Sequence, residues 1–121
     1  MAAALTAQSF PPGGTAVTYV TGAGTLTQTG NTAPTGPGNV LWIKNTSGSG
    51  ITVNMTVPAG ITLDGVAQTS PLTIPVANNA DQAIPLRAAR YADPVTGLAT
   101  FGFASAPGAT VSAACINTTG N

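Results

Sequence analysis

The sequence contains no histidine and no glutamate. Its charge rests on Lys44, Arg87 and Arg90 against Asp64, Asp81 and Asp93, 5% of 121 residues. An ordinary domain is about 25% charged. Without histidine or glutamate the usual groups for general acid–base work near neutral pH are missing. Three cations cannot form the basic stripe that nucleic acid demands, nor a polybasic membrane surface. The single cysteine, Cys115, cannot close an internal disulfide. Apolar runs stay far below the roughly 20 residues of a spanning helix, and the start of the chain has no cationic region, so no secretory signal is expected.

What remains is polar but uncharged: threonine above all, with asparagine, serine, glutamine and 15 glycines. Surfaces without net charge tend to associate, and strand edges without lysine do not discourage pairing. We therefore expect a subunit whose faces are occupied by copies of itself, as a homotrimer, or by a larger assembly. One domain accounts for the length.

Glycine and the 10 prolines are spread along the whole chain, and no apolar stripe of helical period lasts three turns. Short runs of valine, isoleucine and threonine between breakers read as strands. These runs cover residues 16–21, 24–29, 39–45, 50–57, 72–76, 82–86, 98–104 and 110–116. Ile51, Val53, Met55 and Val57 alternate with polar residues, as in an antiparallel sheet with one wet face. Val40-Leu41-Trp42-Ile43 is continuous and reads as a strand covered on both sides, with Trp42 in or beside the core. Residues 45–50 are expected to form a hairpin loop, Asp64-Gly65 a turn, and Asp93 to cap the turn through Gly97. One helical turn is expected at residues 88–91. About eight short strands make an all-β fold: a single antiparallel β-sandwich, jelly-roll-like, over residues 15–121. Residues 1–14 end in Phe10-Pro11-Pro12-Gly13-Gly14, a stiff hinge, and read as an N-terminal docking arm.

The search for chemistry is short. Each aspartate stands at a turn or loop, where local hydrogen bonding favours it, and the three are too far apart in sequence for a calcium loop. Cys115 has no histidine to activate it and no partner for zinc, so it reads as a small buried hydrophobe. The glycine clusters lack the lysine of a phosphate loop. The triplets at Asn45, Asn54 and Asn117 read as chance in a threonine-rich chain. No catalytic, cofactor or metal residues are assigned and no enzymatic activity is expected. Candidate interface residues are Leu5 and Phe10 on the arm, with Arg87, Arg90 and Tyr91 on a loop; for the loop, a cation–π stack is the competing explanation.

The run Gly38-Asn39-Val40-Leu41-Trp42-Ile43-Lys44-Asn45-Thr46-Ser47, followed by Ile51-Thr52-Val53 and Pro58-Ala59-Gly60, resembles small all-β virion proteins of tailed bacteriophages, notably those of actinobacteria. So do Leu72-Thr73-Ile74-Pro75-Val76, Ile84-Pro85-Leu86, Arg90-Tyr91-Ala92-Asp93-Pro94 and Gly97-Leu98-Ala99-Thr100-Phe101. The resemblance spans residues 38–116 and its motifs are structural. It implies a capsid decoration (cement) protein on the outer surface of a phage head, with the major capsid protein as partner and the virion as location. The alternative from another class is a free-standing Ig-like binding module, an adhesin or a carbohydrate-binding domain. Another virion component, such as a tail or head fibre, is a third reading.

Overall fold

The structure, a computed structural model, describes residues 2–9, 13, 16–59, 62–63, 65–67 and 70–118. Its strands are β1 (Ala7–Ser9), β2 (Val20–Thr21), β3 (Asn31–Pro34), β4 (Asn39–Asn45), β5 (Ile51–Met55), β6 (Thr62–Leu63) and β7 (Val66–Ala67). They continue with β8 (Leu72–Val76), β9 (Ala80–Pro85), β10 (Leu98–Phe103) and β11 (Val111–Asn117), and one helical turn, α1 (Ala88–Tyr91), precedes β10.

Two sheets face each other. In the first, β11 lies between β4 and the tandem short strands β1 and β2, and β4 pairs on its far side with β9. In the second the order is β3-β10-β5-β8, while β6 and β7 form a separate hairpin. Among the named strands every pairing is antiparallel except β1 with β11. This is the expected β-sandwich.

Strand alternation fills the space between the sheets. Leu41 and Ile43 of β4, Ile84 of β9, and Val111, Ala113 and Cys115 of β11 point inward from one side. Val53 and Met55 of β5, Val76 of β8, and Ala99, Phe101 and Phe103 of β10 meet them from the other. Phe101 and Phe103 flank Gly102 and meet edge to face, with ring centroids 6.2 Å apart. Gly102 is required where it stands. A Cβ there would run into the Gln28 carbonyl of the loop that covers this sheet.

Several expectations need correction. The loop after Asn45 is not a hairpin: β4 and β5 belong to different sheets, so residues 46–50 cross the sandwich. Asn45, fully buried, makes that crossing. Its amide donates to the carbonyls of Ser49 (2.8 Å), Val76 and Ala77 (3.2 Å each), and its oxygen accepts from the Ser47 N–H (3.0 Å) and hydroxyl (2.7 Å).

Trp42 is not a core residue. In β4 the inward positions are odd, so the indole stands half-buried on the outer face.

The third correction concerns the arm. Residues 3–5 run beside β3, with Leu5 N–H donating to the Thr32 carbonyl (2.8 Å) and Thr32 N–H to the Ala3 carbonyl (2.9 Å). The chain then crosses to the other sheet as β1. Ala3 is buried and Leu5 rests against the core. These residues close one side of the sandwich because β3 and β11 each leave a row of backbone groups that a short extended segment can satisfy. Phe10 and the Pro11-Pro12 hinge lie outside the described residues.

Among the expected strands, residues 24–29 form turns around a buried Leu26, and of 16–21 only β2 is strand. Asp93 caps its turn as expected, its carboxylate accepting from the N–H groups of Val95 (2.7 Å) and Thr96 (3.2 Å), whereas Asp81, expected at a turn or loop, stands in β9, and Asp64 lies outside the described residues.

A candidate docking face on the outer side of the first sheet

The even residues of β4, Val40, Trp42 and Lys44, point away from the core because Leu41 and Ile43 point into it. Register sets their neighbours. Trp42 lies between Ala114 of β11 and Ala83 of β9, two residues too small to cover an indole. Val40 lies between Ile116 and Pro85, and Lys44 between Ser112 and Asp81. The indole N–H donates to the Asp81 carboxylate at 3.0 Å, which fixes the ring against the sheet.

A second wall comes from residues 17–19, before β2. The side-chain amide of Gln8 stands in for a neighbouring strand: it donates to the Thr18 carbonyl (2.8 Å) and accepts from the Thr18 N–H (2.8 Å). With Thr18 clasped in this way, Val17 and Tyr19 are held over the same face. The Lys44 ammonium lies 5.2 Å from the Tyr19 ring centroid, a cation–π contact. Between the walls is an open cavity of about 470 Å³, lined by Val17, Tyr19, Val40, Trp42, Ala83 and Ile116, with Thr118 adding a hydroxyl. The face is thus apolar, carries one cation and one anion at its rim, and offers little hydrogen bonding inside the groove.

Of the candidate interface residues read from the sequence, Leu5, Arg87, Arg90 and Tyr91 do not line this groove. Leu5 packs on the core, and Phe10 lies outside the described residues. Tyr91, the last residue of α1, is buried, and burial pushes its phenol pKa up against the opposing pull of Arg90. The Arg90 guanidinium stands 5.8 Å from the Tyr91 ring centroid, so the cation–π contact exists. Arg87 is exposed, and Arg87 and Arg90 border a second cavity of about 350 Å³ together with Pro85 and Ala89. The apolar face was missed because Val40-Leu41-Trp42-Ile43 reads as a doubly covered strand. The signal that could have found it is Ala83 and Ala114, the small residues that the register sets beside Trp42.

The remaining chemistry is sparse. Cys115 is sealed in the core, where burial raises its pKa to about 11. Among the described residues no cluster of histidine, cysteine, aspartate or glutamate could hold a metal ion, and no helix is long and apolar enough to cross a membrane. Comparison with protein-family models, curated proteins and solved structures returned no match.

Proposed function

We propose that the protein is a structural component of a phage virion, a decoration protein that docks on the outer surface of a head shell and braces contacts between major capsid protein subunits. The observation that carries this reading is the outer face of the first sheet. It is an apolar groove with a fixed aromatic anchor, on a chain with almost no charge to keep its surfaces apart. Interfaces concentrate their energy in a few buried anchors, tryptophan and tyrosine prominent among them, ringed by contacts that add little energy but exclude water, and Trp42 and Tyr19 fit the anchor role. The resemblance of residues 38–116 to tailed-phage head proteins supplies the partner.

A carbohydrate-binding role is the second reading, because two aromatic rings on one sheet face are also what a sugar ring stacks on. The groove supports it less well, since its lining is mostly aliphatic and a sugar needs several directed hydrogen bonds. Sedimentation separates the two. The purified protein is mixed with head shells assembled from the major capsid protein of the same genome, and pelleted. Saturable co-sedimentation that Trp42→Ser reduces at least tenfold supports the decoration reading. No binding to shells, with retention on immobilised glycans that the same substitution abolishes, supports the other.

A further inference from the structure

A sandwich has four sheet edges, and in this one three are closed by different means. Residues 3–5 pair along β3. On the far side of the first sheet, β1 and β2 are three and two residues long, and the Gln8 amide occupies the backbone groups of Thr18 beside them. The β8 edge is closed by proline. Thr56 N–H donates to Thr100 and Ala104 N–H to Thr52. The even residues of β5 therefore bond to β10 and its odd residues to β8, in the alternating pattern of antiparallel pairs. Residues 72, 74 and 76 of β8 then face β5, and Thr73 and Pro75 face outward. Pro75 has no N–H to offer there.

The fourth edge is open. Leu86 N–H donates to the Asn39 carbonyl at 2.9 Å, so Ala80, Gln82 and Ile84 direct their backbone groups to β4. Asp81, Ala83 and Pro85 direct theirs away from the sheet. Among the described residues no strand lies beyond β9. Its edge thus presents donors and acceptors at Asp81 and Ala83 and an acceptor at Pro85, over a strand of six residues. Unguarded edges of this kind are templates for another strand.

We propose that β9 pairs antiparallel with β9 of a second copy, about a two-fold axis passing beside Gln82. In this register Asp81 faces Ala83 of the second copy and Ala83 faces its Asp81. Each pair exchanges two backbone hydrogen bonds, so all four donors are used and Pro85 falls outside the ladder. The alternative register, centred on Ala83, would set Asp81 opposite Pro85 and leave the Asp81 carbonyl without a donor. The chosen register also keeps the two Asp81 carboxylates diagonal, and it brings the half-buried Gln82 side chains of the two copies together on the inner face, where their amides are self-complementary. The product is one sheet continuous across two sandwiches. Its contact is two-fold and isologous, in place of the trimer expected from composition. The inference does not rest on the virion reading.

The test uses the full chain alone, by sedimentation velocity over a concentration series, with circular dichroism to confirm folding. Wild type should dimerise. Ala83→Pro removes an N–H that β4 does not use, so the fold should survive while two of the four intermolecular bonds are lost, weakening the dimer roughly tenfold or more. The charge pair Ala83→Glu and Ala83→Lys reports the register even if the proline variant does not fold. Glutamate would face Asp81 of the second copy and weaken dimerisation, whereas lysine would face the same carboxylate and preserve or strengthen it. A monomeric wild type up to about 1 mM, dimers that survive both Ala83→Pro and Ala83→Glu, or a lysine variant as impaired as the glutamate variant would each overturn the proposal.

Discussion

Asn45 holds five polar partners at the end of the sandwich and has no exposed surface. Replacing it with alanine strands the carbonyls of Ser49, Val76 and Ala77 and both Ser47 donors away from the amide that satisfies them. Asn45→Ala should therefore cost about 2–3 kcal/mol in urea unfolding, a large share of a small domain's stability. Trp42→Ala should cost less, about 1–2 kcal/mol, since only part of the ring is covered and one hydrogen bond is lost. A loss of 4 kcal/mol or more, the range of Phe or Trp deletions in a core, would place the indole in the core instead. Cys115 contributes to the loss of stability at alkaline pH. Its thiol is held neutral by burial, with a pKa raised from 9.0 to about 11. The unfolded chain releases that proton first, so this stabilisation is complete below about pH 9 and is lost as the pH rises towards 11. Alkaline unfolding of Cys115→Ala should show a smaller loss across that window than wild type. The role of Asn45 was not legible in the sequence, where it looks like a loop residue; a polar side chain becomes a core residue only once chain crossings surround it.

At the level of elements, the strands readable in advance are those with strong internal alternation. β4, β5, β8, β9, β10 and β11 stand at or within two residues of their expected limits, and α1 where one helical turn was expected. β1 and β3 were not readable. Ala7-Gln8-Ser9 and Asn31-Thr32-Ala33-Pro34 have no β-rich pattern, and they are strands because neighbouring strands offer unpaired backbone. Asn31 shows how such a segment is fixed. Its side-chain oxygen accepts from the N–H groups of Ala3 (3.1 Å) and Thr27 (3.0 Å), and its amide donates to the Thr27 (2.7 Å) and Phe101 (3.2 Å) carbonyls. Residues 2–9 are consequently part of the fold. A chain beginning at Gly14 loses the β1 ladder, the Ala3 and Leu5 contacts and the Gln8 clasp on Thr18. Its thermal midpoint should fall by roughly 10 °C or more; an unchanged midpoint would restore the docking arm. Gly102→Ala should also destabilise, because the added methyl displaces the loop at Gln28 that crosses β10; this is read from the same melting curves.

For the molecule as a whole, the scarcity of charge and the apolar outer face belong together. With three cations and three anions, long-range repulsion between copies is nearly absent, and association is left to groove shape and strand edges. The candidate site was only partly legible: composition carries the expectation of a subunit that associates, but where a docking face would lie depends on which face of β4 turns outward and which neighbours leave Trp42 uncovered. Trp42 is the only tryptophan in the chain, so the account can be tested at one side chain. Hydroxyl-radical footprinting by mass spectrometry, on the free protein and on the protein bound to head shells, reads its exposure directly. The account predicts that shell binding suppresses oxidation of Trp42 and Tyr19 while Val66 and Val95, both exposed on the free protein, keep their free rates. Protein that pellets with shells while Trp42 is oxidised at its free rate would contradict it.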